Sequence, residues 1–387
     1  MQTISPKIML KNLIAIIFLV TICSNAISQR AGVANNPMTV NVDEYLSKIQ
    51  LPEGFEISIY ARDVNNARSL ALSENNVLYA GSRRGGKVHA ITDTNADFVA
   101  DQVSVVAEGL NIPNGVALKN GDLYVAEVSR ILKFSDIDNN FDKKPDYTVV
   151  TDKYPTEGHH GWKFIRFGPD GKLYVPVGAP CNTCEPDEEH AVITRINDDG
   201  SEKEVFAKGI RNTVGFDWEP NSQHLWFTDN GRDMLGDDTP PEELNRVTKA
   251  GEHFGFPYRY GNSVVDSDYK TDKKAEEFTQ PQLEFPAHSA GLGMRFYSGD
   301  SFPSEYKNDI FIAYHGSWNR SKPQGYYIMR VDMENGEIKN QELFASGWLI
   351  EEKYWGRPVD LEIMADGSML VSDDHANVVY RIQYTGK

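Results

Sequence analysis

Cysteine is scarce in this sequence, with three residues in 387. Cys23 lies in an N-terminal apolar segment, so the rest of the chain holds only Cys181 and Cys184. Covalent haem needs a His directly after the second Cys, where Glu185 stands. Zinc would need two further ligands, and no obvious Cys or His pair supplies them. We therefore expect a disulfide between Cys181 and Cys184 that stiffens a short loop.

Positive charge is also in deficit, since 39 Lys and Arg face 56 Asp and Glu, for a net charge of −17. This balance argues against nucleic acid or an anionic membrane surface as a partner. The Gly-rich stretch at residues 81–87 joins two predicted strands and lacks phosphate-loop spacing. Neither Gly-x-Ser-x-Gly nor a Ser-His-Asp order appears, so the common hydrolase signatures are missing.

Long apolar runs are limited to one, at residues 13–23, which is too short for a good membrane span. Two lysines precede it and a small-x-small site ending at Ser28 follows. This pattern predicts a secretory signal peptide over residues 1–28, cleaved near Ser28. Acylation at Cys23 is the alternative, although a bulky residue stands where lipoproteins need a small one. We expect a periplasmic or secreted protein without stable membrane insertion.

Short strands and turns dominate the remainder, as 31 glycines, 19 prolines and 11% aromatics indicate. A turn-strand unit such as DGKLYVPVG recurs six times at spacings of roughly 45 to 60 residues, with one gap of about 85. Such periods predict an all-β, six-bladed β-propeller; a pair of β-sandwiches is the alternative. The aliphatic anchors of the predicted inner strands are Leu78, Leu123, Leu173, Leu225, Ile310 and Met369.

The predicted domain organisation follows from this repeat. Residues 29–50 form a polar N-terminal arm with a short helical stretch at 42–49. Residues 51–387 form the propeller, and an alternating strand is expected around Phe55, Ile57 and Ile59. The long gap holds an insertion at about 257–286, rich in Tyr, Asp, Lys and Glu, which we expect on one face.

Two Asp-rich segments, DTNADFVAD and DNNFDKKPD, share one spacing at an offset of 45 residues. Oxygen side chains at positions 1, 3, 5 and 9 resemble a calcium loop, although the Gly at position 6 and the Glu at position 12 are missing. Asp and Asn also close turns by bonding their own backbone. Turn chemistry and structural calcium are therefore both open for Asp93, Asn95, Asp97, Asp101, Asp138, Asn140, Asp142 and Asp146.

Histidines and arginines stand at comparable points of several repeats. His159-His160 precede the third predicted strand, Arg211-Asn212 the fourth and Arg357 the sixth. Loops at one end of a propeller channel form the usual ligand site, so these side chains are expected to converge. A histidine can take a proton near neutral pH, and arginines hold carboxylates. This set suggests an anionic small ligand; a structural histidine and surface ion pairs are the alternatives.

Five segments together resemble the glucose/sorbosone dehydrogenase family, closest to its sorbosone-dehydrogenase-like branch. They are HHGWKFIRFGPDGKLYVPVGAPCNTC, GIRNTVGFDW, TDNGRD…EELN, YHGSWNRS and GRPVDLEIMADGSMLVSDD, within residues 51–385. The resemblance implies a quinoprotein propeller that uses pyrroloquinoline quinone (PQQ) with calcium. It implies oxidation of an aldose or sugar aldehyde, with electrons passed to a separate acceptor such as a quinone or cytochrome.

The resemblance also implies roles for individual residues. His160, chosen over His159, matches the base that takes the sugar's proton as hydride passes to the quinone. Arg211 matches the residue that stabilises charge on the quinone oxygen. The other implied cofactor contacts are Asn212, Asn230, Arg357 and either Arg320 or Lys322. Main-chain carbonyls of Gly231 and Arg232 match calcium ligands.

The chain departs from this family at two places. Tyr354 and Trp355 stand where the glucose enzymes have a second arginine, and Gly161-Trp162 follow the base. A metal-dependent lactonase propeller and a non-catalytic propeller that binds a glycan or protein are the alternative functions.

Overall fold

Short antiparallel strands make up most of the chain that the structure, a computed structural model, describes: Met38 and residues 41–386. The predicted signal peptide at residues 1–28 lies outside these described residues, as does half of the predicted arm at 29–50. Helix α1 (Val42–Leu46) begins after Asn41, whose side chain accepts a hydrogen bond from the amide of Asp43 at 3.2 Å. None of the described helices is long and apolar enough to cross a bilayer.

The strands form six four-stranded sheets, which we number in ring order. Sheets 1 to 3 consist of β2–β5 (Ala67–Leu72, Leu78–Ser82, Lys87–Thr92, Gln102–Glu108), β6–β9 (Gly115–Lys119, Asp122–Ala126, Ile131–Phe134, Thr148–Thr151) and β10–β13 (Arg166–Phe167, Leu173–Val177, Val192–Ile196, Glu204–Lys208). Sheet 4 consists of β14–β16 and β19 (Phe216–Trp218, Leu225–Asp229, Glu242–Val247, Leu283–Phe285). Sheet 5 consists of β20–β23 (Gly291–Phe296, Ile310–Tyr314, Tyr327–Glu334, Glu337–Ala345).

Sheet 6 is built from both ends of the propeller sequence. Its strands β26 (Pro358–Ile363), β27 (Met369–Asp373) and β28 (Val378–Tyr384) are joined at the outer edge by β1 (Phe55–Ala61). In this antiparallel pairing Phe55 lies opposite Tyr384, and the predicted alternation in β1 sets its register. The first strand of the described residues therefore closes the ring.

Six main apolar clusters of the described residues hold the ring together, and each lies between two neighbouring sheets. Between sheets 5 and 6, for example, the Phe55 ring packs edge-on against Phe302 and Phe344, with centroids 4.7 and 5.1 Å apart. Alternating strand residues bury one face against each neighbour, which is why the hydrophobic repeat of the sequence was visible. The six-bladed β-propeller prediction agrees with this arrangement.

The predicted anchors do not lie on the innermost strands, which corrects our expectation. They stand at or next to the start of the second strand of each sheet: Leu78, Leu123, Leu173, Leu225, Ile310 and Met369. At five of the six boundaries between neighbouring sheets of the described chain, the first strands lie against one another around the channel. These first strands are short or carry small and polar residues, as the two-residue β10 illustrates, so their apolar pattern is weak.

The span at 257–286 is only partly an insertion. It contains the hairpin β17 (Arg259–Tyr260) and β18 (Val264–Val265) and a 3₁₀ turn (Ala275–Glu277), but also β19, the outer strand of sheet 4. A second small hairpin, β24 (Leu349–Ile350) with β25 (Lys353–Tyr354), precedes sheet 6. Two other 3₁₀ turns in the described residues are Ile137–Asn139 and Ser304–Tyr306.

Close approach of the first strands of sheets 4 and 5 makes Gly215 sensitive to substitution. A Cβ built on Gly215 would lie 2.1 Å from the carbonyl oxygen of Leu292, whereas one on Gly158 would meet nothing within 4 Å. We expect Gly215→Ala to lower the free energy of unfolding by ~1–3 kcal/mol, because backbone must move. Gly158→Ala is the control and should change it by less than ~0.5 kcal/mol. Urea denaturation measures both, and equal stabilities of the two variants would contradict this packing.

Candidate functional site

A cavity of about 490 Å³ lies at one end of the channel. Its volume is within the range of small-molecule sites, ~300–1,000 Å³. The walls come from connections between second and third strands, and from connections that lead from one sheet to the next. In antiparallel sheets both kinds of connection leave at the same end. Six residues that were predicted to have a catalytic, cofactor-binding or metal-binding role line it: His160, Arg211, Asn212, Asn230, Gly231 and Arg357.

His160 is held in one orientation on the cavity wall. Its backbone is left-handed, with φ of 48°, and a Cβ on Gly178 would lie 2.5 Å from its own Cβ, so Gly178 leaves the space it needs. Nδ1 lies 2.9 Å from the carbonyl oxygen of Ala179, to which it donates as the protonated ring nitrogen. Nε2 therefore keeps its lone pair.

Burial determines the charge state of His160. The side chain is 8% exposed, and burial, then Arg211 and His159, hold its pKa well below the ordinary value of 6.5. The ring is therefore neutral at pH 7. His159 is exposed, and its ring centroid lies 4.1 Å from that of His160. Of the two adjacent histidines, His160 is the one that lines the cavity.

Buried Asp229, at the end of β15, positions the Arg211-Asn212 backbone. Its two carboxylate oxygens accept the amide hydrogens of Arg211 at 2.8 Å and of Asn212 at 2.6 Å. Burial raises the pKa of Asp229 to about 6, although these amides favour the charged form. The Asn230 side-chain amide then donates to the Asn212 carbonyl at 3.0 Å. Neighbouring strand ends thus fix both predicted residues.

The Arg211 side chain is supported by the loop that Cys181 and Cys184 close with a disulfide. Its Nε donates to the main-chain oxygen of Asn182 at 2.9 Å, and Nη2 donates to the Asn182 Oδ1 at 2.9 Å. Nη2 also pairs with Asp233 at 3.3 Å. The disulfide loop therefore orients a guanidinium that is 3% exposed.

Three predicted site residues do not line the cavity. Arg232 pairs with Asp266 at 2.5 Å, in the span at 257–286. Arg320 binds Asp238 at 3.0 Å and the carbonyl oxygen of Asp237, so it ties two rim loops together. Lys322 is exposed. The cavity lining includes neither Arg320 nor Lys322; calcium at the Gly231 and Arg232 carbonyls stays a prediction.

The two Asp-rich segments connect third to fourth strands, at the opposite end of the propeller from the cavity. Asp93 accepts from the amide of Phe98 at 2.8 Å, and Asp101 from that of Thr94 at 2.7 Å. Asp138 accepts from the Tyr79 hydroxyl at 2.7 Å. The Asp93 and Asp101 bonds are local and agree with the turn interpretation, whereas the Asp138 bond joins its segment to β3 of sheet 1. No group of three His, Cys, Asp or Glu residues with metal-binding geometry occurs in the described chain, and calcium in these loops stays a prediction.

Sequence reasoning missed several charged residues of the cavity wall: Arg68, Arg83, Arg84, Glu242, His288 and Asp374. Burial raises the pKa of Glu242 to about 7. Burial alone would lower the pKa of His288, but Asp233 and the Gly236 carbonyl raise it overall. Aligning the six repeats would have shown a signal, because Arg83-Arg84 and Asp374 directly follow second strands, as His315 does.

Comparison with known proteins shows which family the chain belongs to. The family model described as TrAA12-like matches residues 49–385. An uncharacterized protein of Borreliella burgdorferi is 34% identical over 365 residues, which cover 90% of this chain and 94% of that protein. The aldose sugar dehydrogenase YliI of Escherichia coli is 25% identical over 202 residues, covering 46% of this chain and 51% of that protein.

Solved structures share the architecture. The calcium structure of the Trichoderma reesei family AA12 enzyme has a TM-score of 0.74 and 18% identity, covering 90% of this chain and 99% of that one. The holo form of the pyranose dehydrogenase PQQ domain from Coprinopsis cinerea has a TM-score of 0.72 and 18% identity. The match covers 87% of this chain and 97% of that one. At such identities the likeness shows the fold alone, and it confirms the six-bladed β-propeller.

The resemblance to the glucose/sorbosone dehydrogenase family is confirmed, whereas the sorbosone-like branch stays a prediction. The match extends over the whole propeller, from the end of the N-terminal arm to the last strand of sheet 6. This chain belongs to the TrAA12-like family.

Proposed function

We propose that this protein oxidises a small sugar, an aldose or a sugar aldehyde, with PQQ and calcium, and passes the electrons to a separate acceptor. One observation carries the proposal: a buried, neutral His160 lies on the wall of a cavity rich in arginine. The relatives add support, because those with printed activities are an aldose sugar dehydrogenase and PQQ-dependent pyranose dehydrogenases.

The cavity residues fit PQQ, a planar orthoquinone with three carboxylates. Five arginines on the wall offer cations: Arg68, Arg83, Arg84, Arg211 and Arg357. Trp162 adds a flat aromatic surface, and its Nε1 is buried without a hydrogen-bond partner among the described residues. When bound, PQQ supplies the oxidising power and takes two electrons from the substrate. Asn212 and Asn230 would add amide contacts, and the Gly231 and Arg232 carbonyls would hold calcium.

His160 provides the base in this proposal. Because Ala179 engages Nδ1–H, Nε2 is the atom that accepts a proton from the sugar hydroxyl. Arg211 lies on the same wall, and its charge disfavours a protonated ring, so the base is free at neutral pH. Trp162, whose ring centroid is 5.8 Å from that of His160, packs against the base and limits water beside it.

Export to an oxidising compartment is part of the proposal. The signal-peptide pattern at residues 1–28 supports it, as does the disulfide that orients Arg211. Expressed in full in a Gram-negative host, the protein is expected in the periplasm with its N-terminus near residue 29. Fractionation and mass spectrometry measure this, and a cytoplasmic protein that retains residues 1–28 would contradict it.

Reconstitution tests the function directly. The apo-protein, purified from a host that makes no PQQ, is given PQQ and calcium and assayed with a sugar panel and a redox dye. We expect dye reduction only with PQQ present, strongest with calcium. Absence of PQQ binding at micromolar concentration would refute the proposal. Lactone hydrolysis by the metal-loaded protein would favour the lactonase alternative, and neither activity would favour a binding propeller.

Adjacent histidines provide a matched pair of variants for the base. His160→Ala should retain PQQ affinity and lose about 10²- to 10⁴-fold in kcat, because the proton acceptor is gone. His159→Ala removes an exposed ring one position away and should change kcat less than about threefold. Steady-state kinetics with PQQ titration measure both. A large loss in His159→Ala with an active His160→Ala would reverse the assignment.

A further inference from the structure

The five cavity arginines differ in whether a carboxylate neutralises them. Arg68 pairs with Asp374 at 3.0 Å, and Arg211 pairs with Asp233 at 3.3 Å. Within the described part of the chain, no carboxylate lies at ion-pair distance from three others: Arg83, Arg84 and Arg357. Charges without partners are unusual in a partly buried wall, because burial disfavours an uncompensated charge.

Asp374 is close enough to interact electrostatically with Arg83 and Arg357, but both of its carboxylate oxygens already accept hydrogen bonds from other side chains. One of its oxygens accepts from Arg68, and the other accepts from Nε2 of His315 at 2.8 Å. Burial alone would raise the pKa of Asp374, yet His315 and Arg68 hold it well below its ordinary value, so it stays ionised. The carboxylate is committed to those two partners. The positive charge of Arg83 remains uncompensated.

Arg83 is held in place by stacking rather than by a carboxylate. Its guanidinium lies over the Trp162 ring, 3.6 Å from the centroid. Stacking occupies a face of the guanidinium and leaves its in-plane N–H groups for an acceptor. Burial, then repulsion by Arg68, lowers the pKa of Arg83 to about 9. An anion that entered the cavity would favour the charged form of Arg83 and so offset both effects.

Arg357, on the connection into sheet 6, is fixed in a comparable way. It donates to the carbonyl oxygens of His315 at 3.0 Å and Gly316 at 2.7 Å, and it lies over the Tyr354 ring at 5.2 Å. These contacts orient the guanidinium without neutralising it. Arg84 is exposed and adds a third positive charge. Three uncompensated guanidiniums therefore surround one cavity.

We propose that Arg83, together with Arg84 and Arg357, binds the carboxylates of a planar tricarboxylate ligand in this cavity. Under the proposed function, on which this identification rests, that ligand is PQQ. Three uncompensated guanidiniums match three carboxylates in charge. The assignment moves the second cationic contact from sheet 5, where Arg320 and Lys322 were predicted, to the Arg83-Arg84 connection of sheet 1. Arg320 is unsuited because Asp238 already pairs with it.

Direct binding measurements test Arg83. By calorimetry on the apo-protein with calcium present, Arg83→Gln should weaken PQQ binding by about 10- to 100-fold, the loss expected when a charge-assisted hydrogen bond is removed. Lys322→Gln is the matched control, since it removes the same charge outside the cavity, and should bind within about twofold of wild type. Equal PQQ affinity of Arg83→Gln and wild type would overturn the proposal.

Thermal unfolding of the apo-protein separates ligand binding from a structural role. Because the Arg83 charge is uncompensated, Arg83→Gln should leave the apo Tm unchanged or raise it. A lowered apo Tm with undiminished PQQ affinity would make Arg83 structural and refute the proposal.

Benzene-1,3,5-tricarboxylate serves as a second probe that does not depend on the quinone. It should raise the Tm of wild type more than that of Arg83→Gln. If wild type fails to bind PQQ, the proposed function is refuted. In that case the tricarboxylate probe alone tests whether the arginines form a carboxylate-binding site. A Tm shift that is absent from wild type or equal in both proteins would then refute the site as well.

Discussion

Pairing of β1 with β28 is the interaction on which the rest of the structure depends. It joins the first strand of the propeller sequence to the last, and so converts a row of six sheets into a ring. Phe55 lies in the aromatic cluster between sheets 5 and 6, where it contacts Phe302 and Phe344. In a closed ring, the outward faces of the first and last sheets pack against each other and are not exposed to solvent. It also brings the connections of all six sheets around one axis, which creates the cavity.

Polar groups on that axis are stable only because neighbouring sheets provide their partners. Buried Asp229 satisfies the amides of Arg211 and Asn212 from the next connection. The Asn182 side chain, inside the disulfide loop, satisfies the Arg211 guanidinium. Each contact crosses from one element to another, so the site is as rigid as the ring that carries it. Such preorganisation allows a neutral imidazole and a cationic arginine to remain close together.

Much of the fold could be predicted from the sequence because the strands are repetitive. Alternation around Leu173 and the five other anchors reports burial between sheets, a local property with a period of two residues. The first strands could not be recognised in this way, because their apolar alternation is weak. Strand β10 is only two residues long, and the close approach of backbone at Gly215 requires a small residue rather than an apolar one. Their role next to the channel depends on contacts between different sheets.

The candidate site was predicted in part. His160, Arg211, Asn230 and Arg357 line one cavity because equivalent points of a repeat meet at one end of a ring. Arg320 and Lys322, selected by motif position alone, lie outside its lining, since the rim loop turns Arg320 towards Asp238.

The sequence by itself determined the all-β repeat, the six-fold count and the histidine-arginine set, because each follows from local pattern and residue type. Only the tertiary structure decided which arginines face the cavity and which of them are neutralised. It also decided that β1 closes sheet 6. These properties depend on distances between residues hundreds of positions apart, such as Arg68 and Asp374, and no local pattern encodes such distances.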